Sequence, residues 1–348
     1  MKNNRLIYIL IIILAIWMGF MSRELFVAKK SNNESIINEY NVSGFSTDFT
    51  KVIEEVDSSI VTINADNTIL SGFIYRQTDD NVYIITAYHG VASANSINVI
   101  FASSYSQSGE LVDYDIYTDI AVIKVITPYQ MKELKMSDSS VLRKGEFVIS
   151  IGTPVSLDYA SSVELGMISL KNVTVENSVT VDENRYSYYL NLIELSSDLL
   201  NGYSGSPVIN MNGEFVGMNT MNVSSNFNFA VTSNEIKIIA DKIINGDKPV
   251  RNNIGIKGEY ISEMYNYEKT NLNIPIDTLE GIYVTKVKEN SLAYEAGVRN
   301  GDIVTKINGK DIRDFNDYLN ALYYSEGSEM TFEYTHNLDR MASGVNRD

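Results

Sequence analysis

The apolar positions change period along the chain, and each change marks a different kind of element. Residues 6–21 are sixteen uncharged, almost wholly apolar positions, with Lys2 and Arg5 before them and Arg23, Lys29 and Lys30 after. The run falls a little short of the roughly 20 residues that span a bilayer, and it predicts a signal-anchor helix over 6–22 behind a short cytoplasmic N-terminus at 1–5. The competing expectation is a cleaved secretory signal, and the lack of a small-x-small site after Gly19 favours the anchor. Both alternatives export the remainder of the chain. Residues 23–48, rich in Asn, Ser and Glu, have the composition of a tether.

From Asp48 the period becomes helical. Phe49, Val52, Ile53 and Val56 recur at helical spacing behind Asp48 as cap, which predicts a helix to Val56. The pattern then becomes that of strands, at 59–64, 68–75, 82–86, 96–102, 120–126, 147–151, 162–170, 188–195, 207–210, 215–221 and 227–231. So many short strands without intervening helices imply a sandwich or barrels, not a parallel sheet. A single helix comes next at 233–245, with Ser233 as cap, Ile236, Ile239, Ile243 and Ile244 on one face, and Gly246 just past its end. Residues 247–252, with Pro249, form a linker to a small α+β module at 253–336. That module has strands at 281–287 and 303–307, short and longer helices near 291–296 and 314–323, and a turn at Asn308-Gly309.

Composition narrows the function. The chain of 348 residues is long enough for two domains. A net charge of −16 argues against nucleic acid and against anionic surfaces. The absence of cysteine removes thiol nucleophiles, disulfides and cysteine-ligated metal sites. Only His89 and His336 are present, so a zinc site with several histidines is not expected, and a histidine base has two candidates. No phosphate loop points to ATP, and neither cofactor nor metal is expected.

The chemistry concentrates at 201–210, Asn-Gly-Tyr-Ser-Gly-Ser-Pro-Val-Ile-Asn, where Ser204 sits among glycines with Pro207 closing the turn. A serine hydroxyl needs a base, an orienting group for that base, and N–H donors for the developing oxyanion. Thr86-Ala87-Tyr88-His89 places His89 at the end of an apolar strand, and Asp119 stands directly before another, Ile120-Ala121-Val122. Singly, these are a structural histidine and a strand-end carboxylate. Together, in the order His, Asp, Ser across an all-β region, they match the chymotrypsin-type triad.

Other stretches carry a family resemblance: Ser71-Gly72-Phe73-Ile74, Ser137-Asp138-Ser139 with Gly145, Ile151-Gly152-Thr153-Pro154, Gly217-Met218-Asn219-Thr220 and Phe229-Ala230-Val231. From about residue 49 to 335 the chain resembles the HtrA (Deg-type) serine proteases. The resemblance implies a membrane anchor, an all-β double-barrel trypsin-like domain at 49–246 and a PDZ domain at 253–336. It implies that His89 is general base and then acid, that Asp119 orients it, that Ser204 attacks the peptide carbonyl, and that the N–H groups of Gly202 and Ser204 bind the oxyanion. Met218, Asn219, Thr220 and Met221 would pair with the substrate backbone. The loop departs from the family in Tyr203, which replaces the usual Asn, in Ser206, and in Leu200-Asn201. Asp198, six residues before Ser204, falls where trypsin-like enzymes floor their specificity pocket; buried there it would favour Lys or Arg, whereas in a loop it is a solvated acid. With Leu200 it is the candidate for substrate choice.

Asn253-Ile254-Gly255-Ile256 resembles the carboxylate-binding loop of a PDZ domain, and Ala296-Gly297-Val298-Arg299-Asn300-Gly301-Asp302-Ile303-Val304 its core. A peptide C-terminus would add as a strand beside Ile256, with its carboxylate on the N–H groups of Ile254, Gly255 and Ile256. The family closes this domain with a further hairpin, but 337–348 is polar without a strand pattern, which predicts a disordered or truncated tail. The family reading is thus an ATP-independent endopeptidase for unfolded or C-terminally exposed exported polypeptides. It would be single-pass in a bacterial cell membrane, extracytoplasmic and homotrimeric. The alternatives are a catalytically weak chaperone or peptide-binding module, and a regulatory protease that cuts one signalling partner.

Overall fold

A computed structural model describes residues 49–66, 68–102, 104–181, 183–198, 200–220, 227–324, 329–336 and 339–347. The expected N-terminus, anchor and tether at 1–48 lie outside these residues, as does Met221.

Strands β1 (Ile60–Ala65), β2 (Thr68–Thr78), β3 (Asn81–Ala87), β4 (Ile97–Phe101), β5 (Ser106–Asp115) and β6 (Ile120–Ile126) close into a barrel in the order β1-β2-β3-β6-β5-β4. Val61, Ile63, Ile74, Ile84, Val99, Ile123 and Val125 form one core cluster, while Phe73, Ile85, Ile120 and Val122 belong to another that includes Phe215. Strands buried on both faces read as continuous apolar runs, which is why most of them are legible in sequence. Strand β5 is not among the expected strands. Its residues alternate between exposed and half-buried, and its Ser, Gln and Glu carry no apolar period.

The second barrel comprises β7 (Phe147–Gly152), β8 (Ser162–Val181), β9 (Asn184–Leu195), β10 (Pro207–Asn210), β11 (Phe215–Asn219) and β12 (Asn228–Thr232), in the order β10-β11-β12-β9-β8-β7. Across the junction of the barrels Phe73 and Phe215, both fully buried, meet with ring centroids 4.3 Å apart and planes tilted by 34°. Strand β8 continues well past residue 170, and its distal half pairs with β9 alone as a two-stranded ribbon. Helix α1 (Phe49–Val56) buries Val52 and Val56, and Phe49 meets Phe147 edge-on. Helix α2 (Ser233–Ile244) buries Ile236, Ile239 and Ile243. Its cap is Thr232, whose hydroxyl accepts from Glu235 N–H; the expected cap, Ser233, instead donates to the Ser137 carbonyl at 2.7 Å.

The last domain contains β13 (Ile256–Tyr260), α3 (Asn266–Asn271), β14 (Ile282–Val287), α4 (Leu292–Glu295), β15 (Ile303–Ile307), β16 (Lys310–Asp311), α5 (Phe315–Tyr323), β17 (Glu329–His336) and β18 (Asp339–Asn346). The sheet order is β13-β14-β15-β17-β18, with β16 on β15. Strand β18 corrects the expectation of a disordered tail from 337 onward. It pairs along the whole of β17, from Glu329↔Asn346 to His336↔Asp339. As a largely exposed edge strand it is held by main-chain hydrogen bonds, so no apolar alternation announces it.

Within the expected linker at 247–252, the Arg251 side chain is nearly buried. Arg251 donates to the Tyr189 carbonyl on β9 at 2.7 Å, and its Nε lies 4.0 Å from Glu235 Oε1 on α2. Tyr323 of α5 donates its hydroxyl to the same oxygen at 2.8 Å. One buried polar node therefore joins barrel, ribbon, linker and second domain. Burial pushes the Glu235 carboxyl up to about 7, against the opposing pull of Arg251 and of the Tyr323 hydrogen bond. Between the ordinary glutamate value of about 4.3 and this raised value, the folded chain keeps a proton that the unfolded chain has released. Glu235 therefore contributes stability that is complete at low pH and is lost as pH rises through about 7. Thermal unfolding of Glu235→Gln beside the parent at pH 5 to 7.5 should show the variant gaining on the parent as pH rises; parallel curves would mean that Glu235 ionises normally.

Candidate active site

The end of β3 passes into a single 3-10 turn, Tyr88–Gly90, that carries His89. Asp119 precedes β6 with φ of +61°, a left-handed conformation that aspartate tolerates better than most residues. Pairing of Ala87 with Ile120 brings these two strand ends together. Tyr88 N–H donates to the Asp119 carbonyl at 2.9 Å, His89 N–H to Oδ1 at 2.7 Å, and His89 Nδ1 lies 2.7 Å from Oδ2. The Thr220 hydroxyl donates to Oδ2 at 3.1 Å. The Asp119 hydrogen bond raises the His89 pKa, and partial burial works against it. Contact at two points with one carboxylate fixes the ring and leaves Nε2 as its other polar atom.

Ser204 lies on the loop between β9 and β10, against the first barrel. Its carbonyl accepts from Ser71 N–H at 3.2 Å, and Gly205 N–H donates to the Asn219 carbonyl at 2.9 Å. At Gly205, φ is +84° and a Cβ would lie 2.3 Å from Ser71 O and 2.8 Å from Ala87 N. Only glycine lets this loop lie on the strand end that leads to His89. His89, Asp119 and Ser204 are thereby gathered at the seam between the barrels. Among the described residues the half-buried Ser204 hydroxyl makes no hydrogen bond, so its link to His89 is not formed in this arrangement.

Gly202, with φ of +100°, has no room for a side chain: a Cβ would lie 2.4 Å from Thr153 O. The Asn201 carbonyl accepts from Val155 N–H at 3.0 Å, and the Gly202 carbonyl accepts from Ser71 Oγ at 2.7 Å. A planar trans peptide points its N–H opposite its carbonyl, so the first bond turns Gly202 N–H away from Val155. Neither Gly202 N–H nor Ser204 N–H donates a hydrogen bond among the described residues. Tyr203, only 4% exposed, packs near Gly152, and burial pushes its phenol up to about 12.

Several expected site residues stand elsewhere. Met218 is buried in the barrel wall between Pro207 and Val231. Asn219 is also buried, with its N–H on the Ser206 carbonyl and its Nδ2 on Ser150 Oγ and Ser206 Oγ. Strand β11 ends at Asn219, so neither residue offers a free edge to substrate; of the expected four, Thr220 remains at the seam and Met221 lies outside the described residues. Asp198 is exposed, without an ion pair among the described residues, and is a solvated loop acid instead of a buried pocket floor. Leu200 is 63% exposed beside the serine loop. The sequence places Thr220 with the substrate and Ser71 in a shared stretch, but their roles in holding Asp119 and the Gly202 carbonyl are not legible there, because nothing local tells a hydroxyl that clamps a distant loop from one that caps a turn.

At the expected peptide-carboxylate loop, Gly255 has φ of +72° against Ser291, as a tight loop requires, and Ile254 N–H, one of the three expected donors, donates to Asn252 O at 2.9 Å.

Comparison with known proteins agrees with this architecture. Residues 70–218 match the family described as Trypsin-like peptidase domain, and residues 283–335 match that described as PDZ domain. The fold and these matches define a trypsin-like serine peptidase domain followed by a PDZ domain, the HtrA-type arrangement. The chain is 33% identical over 259 residues to "Serine protease Do-like HtrB" of Bacillus subtilis, spanning 73% of this chain and 56% of that protein. It is 29% identical over 266 residues to "Serine protease HtrA-like" of Staphylococcus haemolyticus, spanning 75% and 42%. The chain thus spans about half the length of these curated relatives. Among solved structures, "HtrA-type protease AlgW with tripeptide" superposes with a TM-score of 0.59 at 19% identity, covering 86% of this chain and 96% of that one. That likeness concerns the fold.

The His89 geometry makes a prediction of its own. NMR titration should place its imidazole pKa above the ordinary value of about 6.5, and Asp119→Asn should lower it. A midpoint at or below the ordinary value in the parent would contradict the described pairing.

Proposed function

We propose that this chain is an ATP-independent serine endopeptidase that works through His89, Asp119 and Ser204. The observation that carries this reading is the His89–Asp119 pair held at the seam beside a serine loop whose Gly202 and Ser204 N–H groups are undonated. His89 Nε2 takes the Ser204 proton as Oγ attacks a peptide carbonyl, and the Gly202 and Ser204 N–H groups receive the oxyanion. Asp119 stabilises the imidazolium, which then protonates the leaving amine; water, activated by the same imidazole, releases the acyl group. Thr220 supports Asp119 from the opposite barrel.

The apolar run at 6–22 supports a single-pass anchor with the peptidase outside the cytoplasm, acting on unfolded or C-terminally exposed exported polypeptides, and resemblance supports a homotrimer.

A fluorophosphonate should label the parent at Ser204 and leave Ser204→Ala unlabelled. Casein cleavage should fall roughly ten-thousand-fold or more in Ser204→Ala and His89→Ala, with unchanged circular dichroism. Full casein cleavage by pure Ser204→Ala protein would refute the assignment.

A further inference from the structure

Ser71 on β2 is fully buried, and all of its polar atoms are engaged around the serine loop. Its N–H donates to the Ser204 carbonyl, its carbonyl accepts from Thr86 Oγ1 at 2.7 Å, and its Oγ donates to the Gly202 carbonyl at 2.7 Å. The same Oγ accepts from Thr153 N–H at 2.8 Å. The direction of each bond is fixed by its partner. A carbonyl can only accept and an amide N–H can only donate, so the single hydroxyl proton goes to Gly202. Thr153 is held in turn by Thr62 of β1, with the two hydroxyls 2.5 Å apart.

Gly202 is the most mobile residue type at a place where orientation matters most. With φ and ψ free to turn, the peptide before it could rotate and carry Gly202 N–H away from the cleft, and the peptide after it could rotate and displace Ser204. A bond on each side prevents this: Val155 N–H holds the Asn201 carbonyl, and Ser71 Oγ holds Gly202's own. The first clamp comes from the second barrel and the second from the first barrel. We propose that Ser71 is a positioning residue for the oxyanion-binding loop, through which the first barrel fixes the Gly202–Tyr203 peptide that links the two oxyanion donors, Gly202 N–H and Ser204 N–H.

This proposal rests on the peptidase reading above, and the test separates the two. In the full-length chain, Ser71→Ala removes the clamp while keeping the N–H to Ser204. Its kcat should fall about 10- to 100-fold with KM within about threefold, because the lost interaction matters when the oxyanion forms. Affinity for a peptide boronic acid, whose tetrahedral adduct places an oxygen where the oxyanion forms, should fall by a similar factor. The acid limb of the pH profile should not move, since the His89–Asp119 contact is untouched. Ser71→Cys, with similar volume and a weaker donor, should fall between the two, and it decides the matter if Ser71→Ala does not fold. Failure of a fluorophosphonate to label the parent would overturn the peptidase reading itself. Normal labelling with kcat within about twofold in the folded variant would overturn the role of Ser71 alone, as would a shifted acid limb with unchanged boronate affinity.

Discussion

Two main chains meet at the seam between the barrels with no side chain between them. Gly205 lies on Ser71 and Ala87 at distances that no Cβ permits. Everything at the candidate site depends on that approach. It brings the serine loop of one barrel beside the strand end that carries His89 in the other, and it lets Ser71 reach both Gly202 and Ser204. Phe73 and Phe215 supply the apolar contact behind the seam, so the junction is at once core and site.

The parts that are legible in sequence have a physical reason to be. Ile84, Ile85 and Val122 lie on strands buried on both faces, and such strands leave unbroken apolar runs. His89 and Asp119 stand at the ends of such runs, where the chain leaves the sheet and side chains become free for chemistry. The illegible parts are those held by the backbone. Strands β5 and β18 are polar because they face solvent, and the distal half of β8 pairs only with β9. Asn219 reads as available in sequence because strand periodicity does not say where a barrel wall ends. Ser71 is visible as part of a shared stretch, but its partner lies 131 residues away, which no local pattern reports.

The junction with the second domain is built on buried polar groups. Arg251 and Glu235 stand at 4.0 Å, too far for a close ion pair, and Tyr323 and Tyr189 complete their environment. Buried polar groups of this kind contribute little net stability, but separating them without replacement is costly.

Strand β18 gives the last sheet one of its two outer edges. It covers the main chain of β17 from Glu329 to His336, so the edge is carried by a strand that begins with the exposed, charged Asp339 and Arg340. Charged side chains on a sheet edge disfavour pairing with a further chain, so a segment with no apolar signal guards the sheet against edge-to-edge association.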